Sequence, residues 1–351
     1  MKELVIGNLV AKIPIIQGGM GIGISRSNLA SSVSKLGGIG IISGVNIGFD
    51  EPDFETNTLE ANLRALKKHI KLAKEKSNNG IIGVNLMVAM NNYESHVKTS
   101  IEAGCDIIIS GAGLPMKLPT LINNTSTKIA PIVSSAKATN VILKMWDKKY
   151  NTTADLIIVE GPKAGGHLGF SNDDLDNINS INYDKEFSYI LKIADEYGKK
   201  YNKNIPVIAA GGISSSSDVK KYIDMGASGI QVGTRFVATY ECDAHDNFKN
   251  TYVNANKEDI VIVKSPVGLP GRAIKNKFIE NITISKPKIS KCYNCLIPCK
   301  PKDTPYCISL ALINAVKGNI DNALLFCGAD AYKINSLSSV EEVINDLTSE
   351  I

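Results

Sequence analysis

Of the four histidines in this 351-residue chain, His167 alone sits in a glycine-rich stretch, Ala164-Gly165-Gly166-His167-Leu168-Gly169, just after an apolar run that ends at Glu160. An imidazole of ordinary pKa, ~6.5, moves protons well near neutrality, so His167 is the candidate acid/base. His69 on a lysine-rich segment, His96 and His245 lack such a setting and read as solvated or structural. Two further stretches place glycines ahead of a helix start: Ile208-Ala209-Ala210-Gly211-Gly212-Ile213-Ser214, followed by more serines, and Gln231-Val232-Gly233-Thr234-Arg235-Phe236. Unpaired backbone N–H groups there, with no Cβ in the way, form an anion site that fits a phosphate. A third chemistry belongs to Cys292, Cys295, Cys299 and Cys307. Thiolates at C-x2-C spacing can grip one metal ion, and three or four can hold zinc or an iron–sulfur cluster. Free thiols in a folded tail are the alternative.

These residues need elements to position them. Eight short runs rich in Ile, Val and Ala recur: Ile13 to Gln17, Ile39 to Ser43, Ile81 to Val88, Asp106 to Ser110, Ile129 to Val133, Leu156 to Glu160, Val207 to Ala210 and Gly229 to Val232. Most are nearly continuous in apolar residues, as strands buried on both faces should be. Pro14 and Pro131 cannot donate to a ladder; the first suits a strand start and the second weakens its strand. Helices are expected over Ser25 to Leu36, Thr58 to Lys76, Tyr93 to Ala103, Leu118 to Asn123, Ala136 to Tyr150, Phe187 to Tyr201 and Ser214 to Met225. The alternation predicts a TIM (β/α)8 barrel, usually ~250 residues, with an open doubly wound sheet as the rival. The barrel is favoured because glycines and small polar residues gather at all eight strand ends, where that fold builds its site.

Residues 1–240 are assigned to the barrel, closed by a helix near Thr234 to Tyr240, and residues 241–351 to a C-terminal, Cys-containing appendage packed beside it, with its cysteine cluster at 292–307. In the appendage, Ile260 to Val263 and Ile282 to Ser285 read as extended pieces and Ser265 to Arg272 as a Pro/Gly-rich loop. Ile308 to Lys317 and Glu341 to Leu347 read as helices. The hydrophobic share of 44% and charged share of 21% are those of a folded globular chain and argue against disorder. The net charge of +4, spread without a basic block, excludes dedicated nucleic-acid binding and leaves a small-molecule substrate as the expected partner. No apolar run approaches the ~18 residues that span a bilayer, so no membrane partner is expected. The start, Met1-Lys2-Glu3-Leu4-Val5, lacks a secretory pattern, so a cytoplasmic location is expected. Seven cysteines, an odd number, argue against a disulfide framework. A homodimer is one assembly compatible with this reading.

Phosphate sites after strands 7 and 8 are frequent in TIM barrels, and the two glycine motifs follow those strands here. The phosphate belongs either to a substrate or to a cofactor such as FMN. Gln17-Gly18-Gly19-Met20-Gly21 at the first strand end would let a flat ring lie against the backbone, and Asn85 could hydrogen-bond its edge. Glu160 is either a paired structural carboxylate or a partner for ribityl hydroxyls.

Gln17-Gly18-Gly19-Met20, Gly83-Val84-Asn85, Glu160 with Ala164-Gly165-Gly166-His167, Ala209-Ala210-Gly211-Gly212-Ile213 and Gln231-Val232-Gly233-Thr234-Arg235-Phe236 resemble, in that order, motifs of the nitronate monooxygenase family. That family, once called 2-nitropropane dioxygenases, includes the FMN-dependent enoyl-ACP reductase II. The resemblance spans about residues 10 to 250. It implies FMN on the open face of a barrel, its phosphate at Gly211, Gly212, Gly233 and Thr234. It further implies ring or ribityl contacts from Gly18, Gly19, Met20, Asn85, Glu160 and Gly166, with Gln231 in the same motif set and His167 catalytic. Two oxidoreductase reactions follow from it: oxidation of alkyl nitronates with dioxygen to a carbonyl compound and nitrite, or NAD(P)H-dependent reduction of an enoyl thioester. An accessory flavin-binding electron carrier without turnover is the alternative from another class.

Overall fold

A computed structural model describes residues 2–123, 125–287, 289 and 291–351. A two-stranded hairpin opens the chain, β1 (Leu4–Ile6) and β2 (Leu9–Ala11), and eight parallel strands then form the central sheet. These are β3 (Ile15–Gln17), β4 (Gly40–Ser43), β5 (Ile82–Met87), β6 (Ile107–Gly111), β7 (Lys128–Val133), β8 (Ile157–Glu160), β10 (Val207–Ala210) and β11 (Gly229–Val232). The remaining strands, β9 (Gly166–His167), β12 (Ile260–Lys264) and β13 (Pro270–Ile274), make a separate antiparallel sheet in the order β12-β13-β9. The parallel sheet closes on itself. β3 pairs with β11 on one side, and on the other it meets Ile39 through reciprocal N–H···O bonds of 2.9 Å from Gln17 to Ile39 and from Ile39 to Ile15. The TIM barrel expected from the spacing is therefore present.

The apolar runs are continuous because both strand faces are buried. Ile107, Ile109, Ile158 and Ile208 fill the bore, while Ile108, Ile157 and Val159 pack outward against helices. The opening hairpin went unread in the sequence. Its two-residue turn at Gly7-Asn8, with Gly7 at φ +60°, seats Leu4 and Ile6 in the bore core at the strand starts, sealing the end opposite the site. Pro131 is accommodated in β7, whose register with β8 begins one residue later, at Ile132↔Ile158.

Helices alternate with the strands: α1 (Ser27–Lys35), α2 (Thr58–Lys76), α3 (Tyr93–Glu102), α4 (Leu118–Leu121), α5 (Ala136–Tyr150), α6 (Asn172–Asp176), α7 (Tyr183–Lys200) and α8 (Ser216–Asp224). Beyond β11 the expected closing helix is only α9 (Thr234–Val237). Its place against α8 and α1 is taken by α13 (Val340–Thr348). An apolar stripe at i, i+3, i+4 and i+7, namely Val340, Val343, Ile344 and Leu347, buries that helix in the barrel's outer core. A capping box between Ser339 and Glu342 starts it.

Between α9 and α13 lie α10 (Asp246–Val253), the β12–β13 hairpin, α11 (Lys277–Ile284) and α12 (Ile308–Val316). Ile282 to Ser285, read as extended from its β-branched residues, is instead the end of α11 and its C-cap. The Asn276 side chain caps that helix by accepting the Ile279 N–H, and Phe278 packs edge-on against Tyr306 at 5.3 Å, which overrides the local preference. Pro270 to Arg272, read as loop, begins β13; Pro270 stands at the first strand position, where a missing N–H is tolerated.

Candidate active site

All eight strand ends of the barrel open into one cavity of about 510 Å³. Gly18, Gly19, Met20, Asn85, Glu160, Gly166, His167, Gly211, Gly212, Gln231, Gly233 and Thr234 all line it. The residues singled out in the sequence are thus brought together. The three other histidines are elsewhere and structural: His69 Nδ1 lies 3.0 Å from Ser27 Oγ, His96 Nδ1 bonds the Asn92 carbonyl, and His245 caps α10.

Gly211 and Gly212 turn sharply from β10 toward α8 at φ +86° and +84°. A Cβ on Gly212 would stand 2.5 Å from Lys163 Cβ, so this approach of two loops requires glycine. The helix start does not offer all the donors its sequence suggests. The Asp218 carboxylate accepts the N–H groups of Ser214 and Ser215, each at 3.0 Å. Among the described residues, the N–H groups of Gly212, Ile213, Gly233 and Thr234 have no backbone partner, and all four residues line the cavity. Arg235 is already engaged, with the Ser214 carbonyl and with Asp346 at 2.8 Å.

Two polar groups in the cavity lack partners among the described residues. Gln231 Oε1 is buried and unbonded. Burial with no compensating charge pushes the Glu160 carboxyl up to about 7. Such groups cost free energy unless something in the cavity meets them.

The His167 loop is clamped from the far side of the chain. β9 pairs with β13, Gly271 facing His167, and Leu168 N–H donates to the Pro270 carbonyl at 2.9 Å. The buried Arg272 donates to the Ala164 carbonyl, while a Cβ on Gly165 would meet the Cys327 backbone at 2.5 Å. The imidazole packs edge-on to Phe326 at 5.0 Å and contacts Ser265 Oγ through Nε2 at 2.6 Å. Burial holds its pKa down to about 4, so the ring is neutral at pH 7. Leu269, Leu296, Phe326 and Gly328 complete the cavity. Sequence reasoning missed these residues and Ser265; the Pro/Gly-rich stretch from Ser265 to Arg272 was the one visible signal.

Nothing among the described residues supports the metal-binding expectation for the cysteine cluster. Among the described residues no three His, Cys, Asp or Glu side chains are placed to hold a metal ion, Cys292, Cys295, Cys299 and Cys307 included. Cys295 and Cys299 pack instead against the apolar cluster around Tyr306 and Ile308. Burial, with the neighbouring Cys307 and Cys299 adding to it, pushes the Cys295 thiol up to about 11. No described helix is long and apolar enough to cross a membrane.

The nitronate monooxygenase family model matches residues 2–350. A probable nitronate monooxygenase of Staphylococcus aureus is 27% identical over 299 residues, covering 78% of this chain and 79% of that one. FabK from Thermotoga maritima superposes with a TM-score of 0.73 at 26% identity, covering 97% of this chain and 93% of that one. A nitroalkane oxidase from Streptomyces ansochromogenes, at a TM-score of 0.72 and 18% identity over 96% of this chain and 95% of that one, shares the fold. With a family match running almost end to end over a barrel whose strand ends hold the matching motifs, the chain belongs to the nitronate monooxygenase family of FMN-dependent oxidoreductases.

Proposed function

We propose that this protein binds FMN and oxidises alkyl nitronates with dioxygen to a carbonyl compound and nitrite. The observation that carries the reading is the convergence of unpartnered polar groups on a cavity whose other wall is apolar. The free N–H groups of Gly212, Ile213, Gly233 and Thr234 suit a phosphate. Glu160 and Gln231, each without a partner among the described residues, suit ribityl hydroxyls and ring-edge donors. At Gly19 a Cβ would stand 2.5 Å from Asn85 Cβ, so bare backbone faces the cavity where a flat ring would lie. The residues fit FMN. When bound, the flavin supplies the redox centre of the reaction. Met87, Leu114, Leu269, Leu296 and Phe326 supply apolar surface for an alkyl chain and exclude water. His167, neutral at pH 7, stands as the polar group toward the substrate.

A second reading, NAD(P)H-dependent enoyl-thioester reduction, is favoured by the likeness to FabK over nearly the whole chain. Anaerobic stopped-flow separates the two. The lead reading expects flavin reduction by propyl-2-nitronate and none by NADPH; rapid bleaching by NADPH with no response to the nitronate overturns it in favour of the reductase.

A further inference from the structure

Lys163 stands in a tight turn between β8 and β9. The Ala164 N–H donates to the Gly161 carbonyl at 3.1 Å, closing residues 161–164 into a turn with Pro162 in second place, where its fixed φ is suited. Two bonds pin this turn to its neighbours: the Gly161 N–H donates to the Ala210 carbonyl at 2.8 Å, and the Lys163 carbonyl accepts the Ala329 N–H at 3.0 Å. The side chain therefore leaves from a fixed point. Its Cβ, Cγ and Cδ lie 2.5, 3.3 and 3.0 Å from where a Cβ on Gly212 would stand, so the stem runs across that glycine. Gly212 and Ile213 are the residues whose N–H groups lack a backbone partner among the described residues. Nζ is two bonds beyond Cδ, within reach of an anion held at that turn. Lys163 is exposed and stands on the rim, outside the wall that those amides line, and its flexible stem lets the ammonium swing to an incoming anion.

The charges around the turn give this ammonium a task. Arg235 is paired with Asp346 at 2.8 Å and Lys333 with Asp330 at 3.1 Å, whereas the Lys163 ammonium has no partner among the described residues. Arg272 is buried and turned to the Ala164 carbonyl. Two more carboxylates stand here with no cation paired to them among the described residues: Asp218, on the N–H groups of Ser214 and Ser215, and Glu350, on the Ser216 hydroxyl at 2.9 Å. Carboxylates so close to a phosphate dianion oppose its binding. We propose that Lys163 is a ligand of the FMN phosphate, supplying from the β8–β9 turn the unpaired positive charge that the other side chains of this rim do not. This rests on the function proposed above and adds to it a side chain that tells FMN from the unphosphorylated flavin.

The test titrates apoprotein with FMN and with riboflavin, followed by flavin fluorescence quenching, so no turnover is needed. K163M keeps an unbranched stem over Gly212 and removes the charge. It should bind FMN about tenfold more weakly, the low end for a charge-assisted hydrogen bond, and riboflavin as the wild type does. K163E, which adds a carboxylate, should weaken FMN binding further, by about 100-fold. K163R, which keeps the charge, should stay within about threefold of the wild type. Raising salt from about 0.05 to 0.5 M should narrow the gap between wild type and K163M, because the lost interaction is exposed and screened. K163M binding FMN as tightly as the wild type overturns the inference. So does an equal loss for FMN and riboflavin, which marks the stem as a structural prop. If the wild type prefers FMN to riboflavin and K163M keeps that preference whole, Lys163 alone is refuted and the amide cradle stands. A wild type that binds the two flavins alike refutes the phosphate site of the proposed function, and the role of Lys163 with it.

Discussion

Replacing Gly212 by alanine probes the anion cradle with a built-in control. Gly212 sits at φ +84°, where a Cβ costs roughly 1–2 kcal/mol, and that Cβ would lie 2.5 Å from Lys163 Cβ, so the turn must also move. Gly104 has nearly the same conformation, φ +85°, with nothing within 4 Å and no place in the cavity. G104A therefore reports backbone strain alone. G104A should lose about 1–2 kcal/mol of stability by denaturant titration, and G212A at least as much. Only G212A should displace the Gly212 and Ile213 amides. Losing one charge-assisted hydrogen bond to a phosphate, about 1.5–3 kcal/mol, weakens FMN binding about 10- to 150-fold. Flavin fluorescence quenching on titrating apoprotein gives the affinity. G212A binding FMN as tightly as G104A would refute the placement of the phosphate at this turn.

Three further outcomes follow. H167A should keep its yellow flavin and lose turnover of nitronate by about 10²-fold or more, the scale of a positioned catalytic group; unchanged kcat would remove His167 from the reaction. In the apoprotein, Glu160 is held up at about 7, so the native state keeps a proton that the unfolded chain releases above its ordinary carboxyl range. Its contribution to stability therefore falls as pH rises from about 4.5 to 7, while His167 and His69, both held down to about 4, contribute a rise between about 4 and 6.5. E160Q minus wild type isolates the first effect and should reach up to about 3 kcal/mol of added stability at pH 8; a pH-independent difference contradicts it. Trp146, fully buried in α5 with its indole N–H on the Pro115 carbonyl at 3.1 Å, should cost about 3–5 kcal/mol when cut to alanine; a loss under 1 kcal/mol would mean the outer core is loosely packed.

Much of the barrel was legible because its strands are buried on both faces and so appear as unbroken Ile/Val runs; β10 and β11 fall within the ranges read from them. The glycine-bearing strand ends were legible for the same local reason, that a backbone turned tightly against another loop, as at Gly212, tolerates no side chain. What the sequence hid is non-local. Nothing near Val340 announces that α13 replaces the helix expected after β11, since that depends on which groove its apolar stripe finds. The pairing of β13 with β9 joins Gly271 to His167 across about a hundred residues. Ser265 is one serine among many until that pairing brings it to the imidazole. The cysteine spacing left metal ligands and free thiols both open because a spacing motif says nothing of burial, and Cys295 is packed among apolar side chains.

The most direct measurement of the central claim compares FMN with riboflavin, the same ring and ribityl chain without phosphate, binding to apoprotein. If unpartnered amides at Gly212, Ile213, Gly233 and Thr234 hold the phosphate, two or more charge-assisted bonds separate the ligands, and FMN should bind at least about 100-fold more tightly. Equal affinity for the two, or uptake of neither, would contradict the account.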